Sequence, residues 1–254
     1  MIAIISPSKD LNYKSELPMD SGELPRMLED SSKLLTVLKK KKSRDLMKMM
    51  DISEKLAHEN VLRYQNFSSE FTSENSRPAI FAFAGDVYRG LDAGSLNKKQ
   101  LKYTQSHLRI LSGLYGLLRP LDRMQPYRLE MGVPLAAGKT KNLYGFWGSR
   151  ITDLLNQDLQ ETKSKYLINL ASKEYYDAVR EKELKAAVIH IHFRELKSGQ
   201  LRFVSYTAKR ARGLMARYMA LEGCKKPEDL KGFNLEDYAF DASLSNDSNW
   251  YFVR

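Results

Sequence analysis

A chain of 254 residues with 43% hydrophobic residues can bury a full core, which excludes an intrinsically disordered protein and leaves room for one large domain or two small ones. Its formal net charge of +10 favours anionic partners, whether nucleic acid, anionic lipid or phosphorylated ligands. The one cysteine, Cys224, excludes an internal disulfide framework and a cysteine-rich metal site, and no apolar run approaches the ~18 residues of a membrane span.

The first ten residues, MIAIISPSKD, lack the basic leader of a signal peptide, so the expected setting is reducing and cytoplasmic. Residues 1–5 are a continuous apolar run bounded by Ser6-Pro7 and read as a buried strand. The loop that follows carries Lys9 just past a strand end, where open sheets bind ligands. Lys9 is there either a phosphate ligand or an exposed lysine. Residues 23–42 have a helical apolar face through Leu24, Met27, Leu28, Leu34, Leu35 and Leu38. Residues 45–50 and 53–65 predict two further helices, and His58, a lone histidine, predicts no metal. The run AIFAFA at 79–84 predicts a second buried strand. Asp86 follows it directly and is read as a candidate base or arginine-orienting acid, or as the N-cap of the next turn. A helix over 96–107 leads into the most distinctive stretch.

That stretch is LRILSGLYGLLRPLDRMQPYRLEMG, residues 108–132. It passes from an apolar run through Gly113 and Gly116 into Arg119-Pro120, Asp122, Arg123, Gln125, Pro126, Arg128 and Glu130. Glycines let a backbone approach something closely, and prolines fix the turns. Four arginines stand beside two acids. The stretch therefore reads as a loop platform presenting Arg119 and Arg128 to an anion, or as a buried crossover whose arginines pair with its own acids. The Gly113–Gly116 spacing also has a weak likeness to a helix-hairpin-helix turn, with one residue too many.

Residues 143–159 predict one helix, opening on Tyr144-Gly145-Phe146-Trp147-Gly148. Residues 166–171 predict a strand, with Ser172 in the polar loop after it. Residues 186–193 and 200–207 predict a hairpin around Ser198-Gly199. His190 and His192 fall on one face of it, as surface strand residues without a third metal ligand. Residues 208–221 predict a helix carrying Lys209, Arg210, Arg212 and Arg217. From Arg194 to Lys226 there are nine basic and two acidic residues, a local surplus of +7. Residues 249–254 close the chain as a strand. No repeat, linker or low-complexity block interrupts it. The fold class that follows is α/β of the mixed α+β kind: a single compact domain over residues 1–254, with a mixed β-sheet, surrounding helices and a basic cleft.

Six segments, ISPSKDLNY, FAGDVYRGL, LSGLYGLLRPLDRMQPYRLEMG, LYGFWG, NLASKEYY and YTAKRARGLMARY, stand in the same order as in the YaaA family of bacterial peroxide stress proteins, which the chain resembles over essentially its whole length. Where members often show SPAKTL, this chain has Ser6-Pro7-Ser8-Lys9-Asp10-Leu11, keeping the lysine and changing the contacts of the loop. The resemblance implies a cytoplasmic role in limiting hydrogen peroxide damage, linked to control of intracellular iron. It also implies one compact fold with a positively charged cleft compatible with DNA binding, and no established reaction; the residues themselves suggest no metal and no cofactor. No Ser-His-Asp set, peroxidatic cysteine, haem, zinc or P-loop pattern contradicts that. DNA is thus the expected partner, with a small anionic ligand or nucleotide substrate as the alternative, and no membrane. The expected binding residues are Lys9, Arg119, Arg128, Ser172, Lys209, Arg210, Arg212 and Arg217, with Asp86 the candidate catalytic group.

Overall fold

A computed structural model describes all residues, 1–254. In chain order its elements are β1 (Ile2–Ile5), α1 (Leu28–Leu38), α2 (Ser43–Met50), α3 (Glu54–Gln65), β2 (Arg77–Pro78), α4 (Ala79–Ala82), α5 (Asp86–Leu91), α6 (Lys98–His107), β3 (Leu108–Ser112), β4 (Gly116–Leu118) and β5 (Arg123–Met124). Then follow α7 (Leu143–Trp147), α8 (Arg150–Glu161), β6 (Tyr166–Asn169), α9 (Lys173–Tyr176), β7 (Ala187–Lys197), β8 (Gln200–Arg202), α10 (Ser205–Glu222), β9 (Ala239–Asp241) and β10 (Asn249–Val253). The main sheet runs β4-β3-β1-β6-β7-β10-β9, with β8 paired to β7. Its middle, β3-β1-β6-β7-β10, is parallel, and antiparallel β4 and β9 close the two edges. The mixed sheet with helices around it is the architecture expected from the sequence.

β1 is wholly buried because it lies at the centre of the sheet, which is why its sequence is a continuous apolar run and not an alternating one. From β1 the chain crosses to β3 on one side and later returns to β6 on the other. This reversal places a crevice outside the carboxyl ends of β1 and β6, the position where open α/β sheets hold ligands.

Four expectations are corrected. The second hairpin strand, expected over 200–207, is only β8 at Gln200–Arg202, and Ser205 to Thr207 already belong to α10. The apolar run at 79–84 is not a strand: it forms helix α4, and the pairing falls to Arg77–Pro78 with Arg123–Met124. A short, mostly buried apolar run has no period that separates strand from helix. The helix expected over 143–159 is two helices, broken where Gly148 takes φ +55°. The glycine pair at 113–116 is the turn of the β3–β4 hairpin, not a helix-hairpin-helix. A Cβ on Gly113 would overlap the carbonyl oxygen of Leu129, so the backbone brought close by this glycine is the chain's own.

One helix contact aims the site. α10 crosses α5 where Gly213 and Gly90 meet. A Cβ at Gly213 would overlap Val87 O and stand 2.8 Å from Leu91 N, and one at Gly90 would overlap Arg210 O and stand 2.9 Å from Leu214 N. Only glycines allow two helix backbones this close. The crossing sets Asp86 and Val87 of α5 against Lys209 and Arg212 of α10. At the opposite end of the core, Asp158 of α8 is held by Arg26 (2.7 Å) and by Arg109 of β3 (2.6 Å).

Candidate functional site: a cleft at the carboxyl ends of β1 and β6

The crevice is a cleft of about 230 Å³, lined by Ser6 to Asp10 after β1, Gly85 to Val87 at the start of α5, Ser172, Glu174 and Tyr175 after β6, and Lys209 and Arg212 from α10. Its floor is tied down by the two strand-end loops. The N–H of Ser172 donates to Ser6 Oγ at 2.9 Å, the two hydroxyls are 3.3 Å apart, and Tyr88 OH donates to the Ser6 carbonyl at 3.2 Å. The loop after β1 is pinned on its far side by Ala84 N to Asp10 O and Asn12 N to Ala82 O, both 2.8 Å. These contacts make the cleft a fixed part of the core and not a surface dimple.

The expected site residues divide into those the fold brings together and those it does not. Lys9, Asp86, Ser172, Lys209 and Arg212 line the cleft. Arg128 lies in a narrow side pocket that shares Pro7, Ser8, Lys9 and Tyr175 with it. Arg119 is elsewhere, with Nε 3.0 Å from buried Asp122 and Nη2 2.5 Å from Glu23. Arg210 is also outside, its Nε 2.5 Å from Glu236. Arg217 caps the end of α5, donating to the carbonyls of Leu91 (3.2 Å) and Asp92 (3.0 Å) and to Ser95 Oγ (2.7 Å). The four arginines of the 108–132 platform are all engaged internally: Arg109 with Asp158, Arg119 with Asp122, Arg123 with Asp20 and Arg128 with Glu130.

The cations inside the cleft differ in how they are balanced. Lys9 Nζ lies 3.3 Å from Glu130 Oε1. Lys209 is exposed at the rim. Arg212 is half-buried, its Nε is sealed from water without a hydrogen-bond partner, and no carboxylate pairs with it. Burial first, and then the charge of nearby Arg194, pull its pKa below the ordinary guanidinium value. A guanidinium stays protonated through such a shift, so the cost appears as an unneutralised positive charge. On the acidic side, Asp86 Oδ1 takes a 2.8 Å hydrogen bond from Arg89, and Glu174 Oε1 takes one of 3.0 Å from Gly132 N–H.

Glu130 is the residue the sequence reading passed over. Its Oε1 accepts from Arg128 Nη2 at 2.9 Å, whereas its Oε2 is buried with no partner. Nothing in a single glutamate near two arginines signals this, because the side pocket is assembled from three segments far apart in the chain, residues 7–9, 127–130 and 175. Of the other groups set aside from the sequence, His192 bonds Asn249 at 2.9 Å and His190 lies 3.4 Å from Glu181. No three His, Cys, Asp or Glu side chains gather as a metal site. Cys224 is buried, and burial, then Asp229 and Glu222, push its thiol up to about 11. No helix is long and apolar enough to cross a membrane.

Comparison with known proteins places this chain in a family. A UPF0246 protein of Janthinobacterium sp. (strain Marseille) is 48% identical over 254 residues, covering 100% of this chain and 98% of its own. One from Chromobacterium violaceum is 49% identical, covering 100% and 99%, and one from Aliivibrio fischeri (strain ATCC 700601 / ES114) is 46% identical, covering 100% and 98%. A family model described as peroxide stress protein YaaA matches residues 1–244. By that match and these identities, the chain belongs to the YaaA family of peroxide stress proteins.

Proposed function

We propose that the protein serves the cytoplasmic peroxide response by holding a small anionic, phosphate- or carboxylate-bearing ligand in the cleft, with Arg212 and Lys209 as its anion clamp and the Ser6–Ser172 floor beneath. The observation that carries this reading is Arg212. A half-buried guanidinium without a carboxylate is costly, and an anion in the cleft would offset that cost with charge-assisted hydrogen bonds. The cleft volume, about 230 Å³, lies below the roughly 300–1,000 Å³ of pockets for drug-sized ligands, which favours a small metabolite over a macromolecule inside it. Asp86 stands at the same cleft and is the candidate acid or base should the ligand be a substrate, with Arg89 orienting its carboxylate.

DNA is the second reading. It is favoured by the net charge of +10 and by a run of cations without acidic partners, Arg194, Arg202 and Lys209, along β7, β8 and the start of α10. In it, phosphates touch the rim and Arg212 receives one of them. The link to intracellular iron, in either reading, lies downstream of that binding.

A calorimetric titration separates the two. With the full chain, inorganic phosphate or a mononucleotide should bind the wild type, and the Arg212→Gln variant should bind it at least about tenfold more weakly. Single- and double-stranded DNA, titrated across salt, should show a slope of about −0.9 per phosphate contact on duplex if the second reading is right. Binding of small anions that is indifferent to Arg212 overturns the first.

A further inference from the structure

Across the whole chain, three buried side-chain polar atoms lack a hydrogen-bond partner: Arg26 Nε, Glu130 Oε2 and Arg212 Nε. Arg26 has a ready account, since its two other nitrogens hold Asp158 at 2.7 and 3.0 Å. The remaining two are of opposite character, an acceptor and a donor, and both belong to the one cleft and its side pocket. Native proteins pair nearly all buried polar atoms, so each exception calls for a physical cause.

Glu130 is nine-tenths buried, with 10% of its side chain exposed. Both cations in reach, Arg128 and Lys9, are spent on Oε1, leaving the buried Oε2 without a partner at a side pocket of about 10 Å³, room for one water-sized group. A simple anion at Arg212 gives Glu130 nothing, because a second negative charge cannot donate to a carboxylate oxygen. A ligand with a donor at its other end meets both requirements at once.

We infer that the ligand of this cleft is bipolar. Its anionic group sits at Arg212 and Lys209, and a terminal ammonium or amino group, small enough for the side pocket of about 10 Å³, meets Oε2 of Glu130. The inference rests on the proposed function for its anionic end and adds the second pole. The acids that also line the cleft, Asp10, Asp86 and Glu174, have the charge suited to a cationic or donor-bearing body between the poles. The class is therefore small amino-bearing phosphates or carboxylates, and Glu130 is the residue that selects them over plain anions.

Two matched pairs of probes test this by calorimetry on the full chain. O-phosphoethanolamine differs from ethyl phosphate, and 3-aminopropyl phosphate from propyl phosphate, by a terminal ammonium group. In the wild type, at least one donor-bearing probe should bind about ten- to a hundredfold tighter than its plain partner, the worth of a hydrogen bond to a buried charge. Glu130→Gln keeps the shape and an acceptor for Arg128, and should erase that preference while ethyl phosphate binds no worse. If both pairs bind with equal affinity in the wild type, or if Glu130→Gln keeps the full preference, the inference is overturned and the anion site stands. If no phosphate-bearing probe binds the wild type, the proposed function itself fails. Should Glu130→Gln not fold, the wild-type pairs alone decide.

Discussion

Replacing Gly213 with alanine puts one methyl group between two helix backbones. Its carbon would overlap Val87 O and stand 2.8 Å from Leu91 N, where unstrained contact needs roughly 3.5 Å. Both obstacles are main-chain atoms of α5, so no side chain can swing away, and α5 and α10 must part by about 1.5 Å. Overpacking of this kind costs about 1–3 kcal/mol, and a backbone clash belongs at the upper end. Alanine returns about 1 kcal/mol of helix propensity in the interior of α10. The net expectation is a loss of about 2 kcal/mol, read as a fall of about 4–8 °C in Tm for a chain of this size. The parting also moves Asp86 and Val87 away from Lys209 and Arg212, so anion affinity should fall with stability. Gly94→Ala is the control, with nothing within 4 Å of the added carbon, and should be neutral or slightly stabilising. Urea and thermal unfolding with a phosphate titration check both. A Gly213→Ala protein with wild-type Tm and affinity would refute the claim that this glycine crossing builds the cleft.

Other outcomes follow from the same contacts. Asp158→Asn leaves Arg109 and Arg26 facing each other without a carboxylate, and should cost about 3–5 kcal/mol in urea unfolding at pH 7. Burial raises the Asp158 pKa, but Arg26 and Arg109 more than offset this and hold it below the ordinary carboxylate value. Its stabilising contribution is therefore fully present above about pH 4 and is lost as pH falls through the depressed folded value, so the wild-type advantage over Asp158→Asn should shrink in acid. Arg217→Glu removes the cap on α5 and should lower Tm, whereas Lys209→Glu, at the rim, should leave Tm unchanged and weaken anion binding. Cys224, with its thiol pushed up to about 11, should resist iodoacetamide in the folded chain at pH 8 and label rapidly in urea; rapid labelling of the folded chain would contradict its burial.

Much of the architecture was legible because it is written locally. The apolar runs of β1 and β6, the helical periods of α1 and α3 and the Ser198-Gly199 turn each depend on neighbours within a few residues. The run at 79–84 was not, since a short run that is apolar throughout has no period that tells helix from strand. The site was half legible for the same kind of reason. Ser6 to Lys9 and Ser172 could be placed at strand ends from the sequence, and the topology then joined them. The arginines could not be sorted into free and paired, because Arg119, Arg210 and Arg217 find Glu23, Glu236 and Asp92 at separations that no local pattern encodes. Glu130 was invisible for the converse reason: its near neighbour Arg128 suggested a satisfied ion pair, and only the fold reveals the oxygen left over.

The central claim is that Arg212 is held unneutralised for a ligand that the peroxide response needs. The direct measurement is survival under hydrogen peroxide of cells lacking this protein, complemented with wild type or with Arg212→Gln at matched protein level and matched Tm. The account expects wild type to restore survival and Arg212→Gln to do no better than the empty control. Full rescue by Arg212→Gln would contradict it.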